Sequence, residues 1–111
     1  MSWSFRAGRP VECDRSETIA DGLAVRVAIP LAVDELRASA DRMVDVSERE
    51  IANAVARFAE AEIRVEPAAA APLAALRQID ADGPIVLIVT GRNVDDELYD
   101  RLVTAPNSFP G

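Results

Sequence analysis

The chain has 111 residues, half of them apolar, with 12 basic against 19 acidic residues and a formal net charge of −7. That is ordinary globular composition, with room for one small domain that buries roughly 60–70 % of its unfolded surface, and the acidic balance argues against nucleic acid and anionic membranes, which need clustered positive charge. All 12 basic residues are arginine, histidine is absent and Cys13 is the only thiol, which excludes a lysine Schiff base, Ser-His-Asp and Cys-His catalysis, the usual zinc ligand sets and an internal disulfide.

Residues 1–17 carry Gly8, Pro10 and mixed charges without a sustained period and read as an irregular lead-in. Thr18-Ile19-Ala20-Asp21-Gly22 follows, a loop whose glycine lies among apolar residues. Pro30 opens a helix expected over residues 31–40, with Leu36 between Ala32, Val33 and Ala40 at helical spacing. Residues 42–46 are short and β-branched, and Ser47-Glu48-Arg49-Glu50 then forms a capping box, so a strand is expected to run into a helix. That helix starts at Glu48 and runs to about Glu62, with Ile51, Ala54, Val55, Phe58 and Ala61 on one stripe.

Ile63-Arg64-Val65-Glu66-Pro67 is an extended link, because the residue before proline is driven out of the helical region. A helix restarts over residues 68–76, almost pure alanine and leucine, and Asp82-Gly83-Pro84 makes a turn. Residues 85–89, Ile-Val-Leu-Ile-Val, are apolar on both faces, as in a parallel strand covered by helices on both sides, which implies more sheet than this chain contains. Thr90-Gly91-Arg92-Asn93 is a loop, Asp95 and Asp96 place negative charge at the start of a last helix, and Pro106 to Pro110 ends the fold in a tail expected to fray.

The pattern predicts an α/β architecture with few strands and flanking helices, divided into the lead-in at 1–17, a main body at 18–104 and a tail at 105–111. The apolar run at 85–89 is too short to cross a bilayer, and Met1-Ser2-Trp3-Ser4-Phe5-Arg6 has no apolar signal core, so a soluble cytoplasmic chain is expected, without membrane or nucleic-acid partners.

Three loops lie beside element ends, where α/β proteins place ligands: Thr18 to Gly22, Val65-Glu66-Pro67-Ala68-Ala69-Ala70, and Val89-Thr90-Gly91-Arg92-Asn93-Val94-Asp95. Singly, each has a plain structural reading as a turn, a helix start or a strand end. Together, in this order, they resemble the C-terminal part of the large domain of the pyridoxal-phosphate enzymes of the tryptophan synthase β type, fold type II, and look most like threonine and serine dehydratases. In that family a TIADG segment precedes a strand and capped helix with V-S/T-x-x-E-I, then EPxGA or EGAGA, then an apolar strand ending in S/T-G-G-N-I/V/L-D. Here these read Thr18 to Gly22, Val46 to Ile51, Glu66 to Ala70 and Thr90 to Asp95.

The resemblance implies a three-layer part of that large domain and assigns pocket roles residue by residue. Thr90 matches the hydroxyl at the pyridine nitrogen, a neutral partner that suits β-elimination; Glu66 matches a glutamate near the ring; Gly22 matches a glycine that leaves room beside the cofactor. Ala69 and Ala70 depart from the family's glycines, and Arg92 replaces the second glycine of the S/T-G-G-N motif. The family's Schiff-base lysine, its phosphate-cradling glycine loop and the carboxylates that bind a divalent ion in some relatives all precede the matching part.

The resemblance therefore implies no catalytic residue, no metal ligand and no covalent hold on pyridoxal phosphate in this chain, which is expected to be inactive alone. In the complete enzyme the implied reaction is dehydration and deamination of a small hydroxy amino acid to a 2-oxo acid and ammonia, the chain's partner being the N-terminal part of the enzyme or a homologous subunit. The alternative is a non-catalytic interaction or decoy subunit that docks on a complementary or homologous chain.

Overall fold

The computed structural model describes all 111 residues and divides them into two units: Met1–Glu17 with Leu23–Asp45, and Thr18–Gly22 with Val46–Gly111. Helices α1 (Ser2–Ala7) and α2 (Pro30–Ser39) belong to the first unit, and the second is organised on the capped helix α3, Glu48–Glu60. The capping box is present: the Glu50 N–H donates to Ser47 Oγ at 3.3 Å and the Ser47 N–H to Glu50 Oε2 at 2.7 Å. The Ser47 N–H foremost, and then the Ser47 hydroxyl, which donates to the same Oε2 at 3.0 Å, hold the Glu50 carboxyl below the ordinary glutamate range, and the Arg77 charge adds to them. Ile51, Ala52, Ala54 and Val55 turn the apolar stripe of α3 inward, with Phe58 packed beside them.

Helix α3 stops where Glu62 takes a left-handed conformation, φ 59°, while the Ile63 N–H donates back to the Phe58 carbonyl at 2.9 Å. Val65 is buried, and α4, Pro67–Ala75, then packs on α3 through Ala70 and Ala74, whose small side chains allow close approach. A 3-10 turn, Leu76–Gln78, ends it. In α5, Asp96–Thr104, the Asp95 carboxylate accepts from the Glu97 and Leu98 N–H groups at 3.0 and 3.1 Å, and Leu102 is fully buried against α3.

The tail is docked, in contrast to the fraying expected of it. Phe109 is buried, the Arg101 guanidinium lies 4.4 Å from its ring centroid, and the Arg49 N–H near the start of α3 donates to the Pro110 carbonyl at 2.8 Å. One large aromatic side chain and a free helix N–H are enough to hold a segment whose prolines point only to irregular backbone.

In the first unit the lead-in is partly helical: α1 spans Ser2–Ala7 and ends at Gly8, φ 67°. Six residues are too few to show a period, and tertiary bonds hold the turn in place. Ser4 is buried and its hydroxyl accepts from the Val11 N–H at 2.9 Å. Helix α2 starts at its proline as expected, buries Val33 and sends Arg37 to the Phe5 carbonyl. Arg6 pairs with Asp45, and that bond is the main reason the Asp45 carboxyl sits below its ordinary value.

The α/β layering is not realised within this chain: residues 42–46 and 85–89 are extended but form no strand ladder. A strand exists through its neighbours' hydrogen bonds, and neither segment has an extended neighbour that completes a ladder. Val86 and Ile88 remain 80 % and 66 % exposed. The only trace of sheet-like pairing at the site is one bond, from the Glu66 N–H to the Gly91 carbonyl at 3.1 Å.

Candidate functional site

The three loops singled out in the sequence converge in the second unit. Glu66 is the residue before Pro67 at the start of α4, yet its carboxylate does not cap that helix. It turns outward and accepts the Asn93 N–H through Oε2 at 3.0 Å. With the Glu66 N–H on the Gly91 carbonyl, backbone and side chain of one residue grip both sides of the 90–93 loop.

Two glycines make this approach possible. A Cβ placed on Gly91 would lie 2.5 Å from Glu66 Cδ and 2.6 Å from both carboxylate oxygens. One on Gly22 would lie 3.1 Å from the Ala68 Cβ and 3.7 Å from Glu66 Oε1. Gly22 therefore bounds the same carboxylate from the other side, within the 3-10 turn Asp21–Leu23, where its own N–H donates to Asp21 Oδ1 at 2.8 Å.

Thr90 precedes Gly91 and is exposed; its hydroxyl makes no hydrogen bond within the chain. It lies at the rim of a shallow depression lined by Val65, Val89, Gly91 and Arg92 among others. A larger groove between α3 and α4, lined by Glu50, Asn53, Arg57, Leu73 and Arg77, contains none of Thr90, Glu66 and Gly22; the chemistry-bearing residues sit at an open face rather than in a closed cavity.

Sequence reasoning passed over two contributors. Gly91 reads as part of a loop motif, whereas the structure makes it the position where a side chain would displace Glu66. Glu48 reads as a first-turn charge on α3, but its carboxylate reaches the 18–22 loop: Thr18 Oγ1 donates to Oε1 at 2.6 Å and the Ile19 N–H to Oε2 at 2.8 Å. No local pattern announces a bond across 30 residues.

Comparison with known proteins gives the family of the chain. Residues 1–91 match the family model described as "Pyridoxal-phosphate dependent enzyme". The L-threonine ammonia-lyase of Thermotoga maritima is 34 % identical over 106 residues, 93 % of this chain and 26 % of the relative; that of Geobacter sulfurreducens is 36 % identical over 97 residues, 84 % of this chain and 24 % of the relative. The crystal structure of a T.th. threonine deaminase superimposes with a TM-score of 0.74 at 31 % identity, over 85 % of this chain and 35 % of that one. The chain belongs to the pyridoxal-phosphate dependent enzyme family and shares the fold of part of a threonine deaminase, a fold-type-II domain. It spans about a quarter of the length of the two ammonia-lyases it matches.

The site thus brings together an exposed hydroxyl at Thr90, a carboxylate held at a fixed place and two positions kept clear of side chains. No lysine exists to hold the family's cofactor covalently. No helix is long and apolar enough to cross a membrane.

Proposed function

We propose that this chain contributes one wall of the cofactor pocket of a threonine- or serine-dehydratase-like lyase and is inactive by itself. The observation that carries the reading is the convergence of the 18–22, 66–70 and 90–95 segments on the Glu66 carboxylate, at a place where Gly91 has no room for a Cβ. Likeness to two L-threonine ammonia-lyases supports the reaction class: loss of water from a small hydroxy amino acid to an enamine, whose imine form takes up water and releases ammonia to give a 2-oxo acid.

Pyridoxal phosphate, when bound, supplies the electron sink for that elimination. Thr90, by its match to the family's hydroxyl position, would offer the pyridine nitrogen a neutral partner, which would suit elimination better than reactions that need a stronger electron sink. Glu66 fixes the loop carrying Thr90, and Gly22 keeps the adjoining space open. The main body at 18–104 carries these residues, and the remainder of the pocket, including the attachment lysine, comes from the N-terminal part of such an enzyme or from a homologous subunit, in the cytoplasm.

Two measurements test this. The purified chain, given pyridoxal phosphate and L-serine or L-threonine, should form no 2-oxo acid; turnover would sink the account. A chimera of the Thermotoga maritima enzyme carrying this chain in place of its matching segment should load cofactor and form 2-oxo acid, and Thr90→Asp should alter the absorption of the bound cofactor. A folded chimera that takes up no cofactor refutes the pocket assignment.

The exposed Val86 and Ile88 favour a second reading, a non-catalytic subunit that docks through this edge. A monomeric chain with one cooperative melt would remove the need for such a partner.

A further inference from the structure

We infer that Glu48 is a positioning residue: its carboxylate, anchored on the first turn of α3, clamps the 18–22 loop and so sets where Gly22 stands beside Glu66. The inference deepens the proposed pocket and rests on it only for the purpose of the loop, not for the clamp.

The geometry is that of a two-point grip. Oε1 accepts from the Thr18 hydroxyl at 2.6 Å and Oε2 from the Ile19 N–H at 2.8 Å, so both carboxylate oxygens are used on adjacent residues. Thr18 Oγ1 in turn accepts the Ala20 N–H at 3.1 Å, which carries the restraint one residue further into the loop. Ala20 is then buried in the core cluster with Ile51 and Val55, and Gly22 follows two residues on, where a Cβ would meet Ala68 and the Glu66 carboxylate. A loop of five residues is thus fixed at its start by charge-assisted bonds and in its middle by burial, leaving its glycine end a single approach to Glu66.

A plain role as a first-turn acid complementing the α3 macrodipole explains neither bond, since that role needs only a negative charge near the helix start. Aspartate separates the two. It keeps the charge at the same position but is one methylene shorter and cannot span to both Thr18 and Ile19.

The test is amide hydrogen exchange on the full chain, comparing wild type with Glu48→Asp, Glu48→Ala and Thr18→Val, with the α3 amides of residues 52–58 as internal reference. The expected result is at least tenfold faster exchange at Ile19 and Ala20 in all three variants while the reference amides stay unchanged. Unchanged loop amides in Glu48→Asp overturn the inference, as does equal acceleration of loop and α3 amides, which would make Glu48 a helix-stabilising charge. If Glu48→Ala fails to fold, Glu48→Asp and Thr18→Val decide the matter. Failure of the cofactor reading would show separately, as a chimera without cofactor whose Ile19 and Ala20 amides are still protected.

Discussion

Replacing Glu62 by glycine should stabilise the protein. Glu62 is the one non-glycine residue with positive φ, at 59°, immediately after the last turn of α3. A left-handed conformation costs an L-residue about 1–2 kcal/mol, and a carboxylate beside the negative end of a helix dipole adds about 0.3–1 kcal/mol at an exposed site. Against this, glycine gives the unfolded chain more freedom, worth roughly 0.5–1 kcal/mol. The net expectation is a gain of about 1 kcal/mol, the bond from the Ile63 N–H to the Phe58 carbonyl being kept. In urea unfolding, with a slope of about 1–2 kcal/mol/M, the midpoint should rise by roughly 0.5–1 M. Glu62→Gln removes the charge but keeps the strained backbone and should recover only the smaller part. A Glu62→Gly midpoint at or below that of Glu62→Gln would refute the reasoning, because relief of backbone strain would then not exceed the entropic cost of glycine.

Gly91→Ala should push the Glu66 carboxylate off the Asn93 N–H, costing about 1 kcal/mol and moving the Asn93 amide resonance; an unmoved resonance would mean that Glu66 is not confined as the structure has it. Phe109→Ala should cost about 2–3 kcal/mol, below the 3–5 kcal/mol of a central core phenylalanine because a chain end relaxes easily, and should release the Arg49 amide to fast exchange. For pH, Glu50 has a lowered carboxyl pKa in the fold, so its contribution is present above the unfolded glutamate range and is lost as pH falls through the folded value. Glu50→Gln should flatten the acid limb of the stability profile while lowering stability near neutrality; an acid limb unchanged by the substitution would show that the Ser47 bonds are not formed in solution.

What could be read from the sequence is what is decided locally. Ser47 and Glu50 announce the start of α3, Pro30 and Pro67 open helices where expected, and Asp95 caps α5. The motif order also reads correctly as a family pattern, in agreement with the family match over residues 1–91. The failures are non-local. Residues 85–89 have every strand propensity, yet β structure depends on partners that propensity cannot supply. Phe109 looks like part of a loose tail until Arg101 and the start of α3 are known to lie beside that tail. Within the candidate site, Thr90, Glu66 and Gly22 could be named from the motifs, but Glu48 and the steric role of Gly91 depend on contacts across tens of residues.

The exposed apolar edge at residues 85–89 has a colloidal consequence. With a net charge of −7, copies of this chain repel one another at neutral pH and low salt, and that repulsion opposes edge-to-edge association. Salt shortens its range to about 8 Å at physiological ionic strength, and acid removes it by neutralising carboxylates. The molecule should therefore disperse best in dilute neutral buffer and precipitate first where either condition lets two such edges meet.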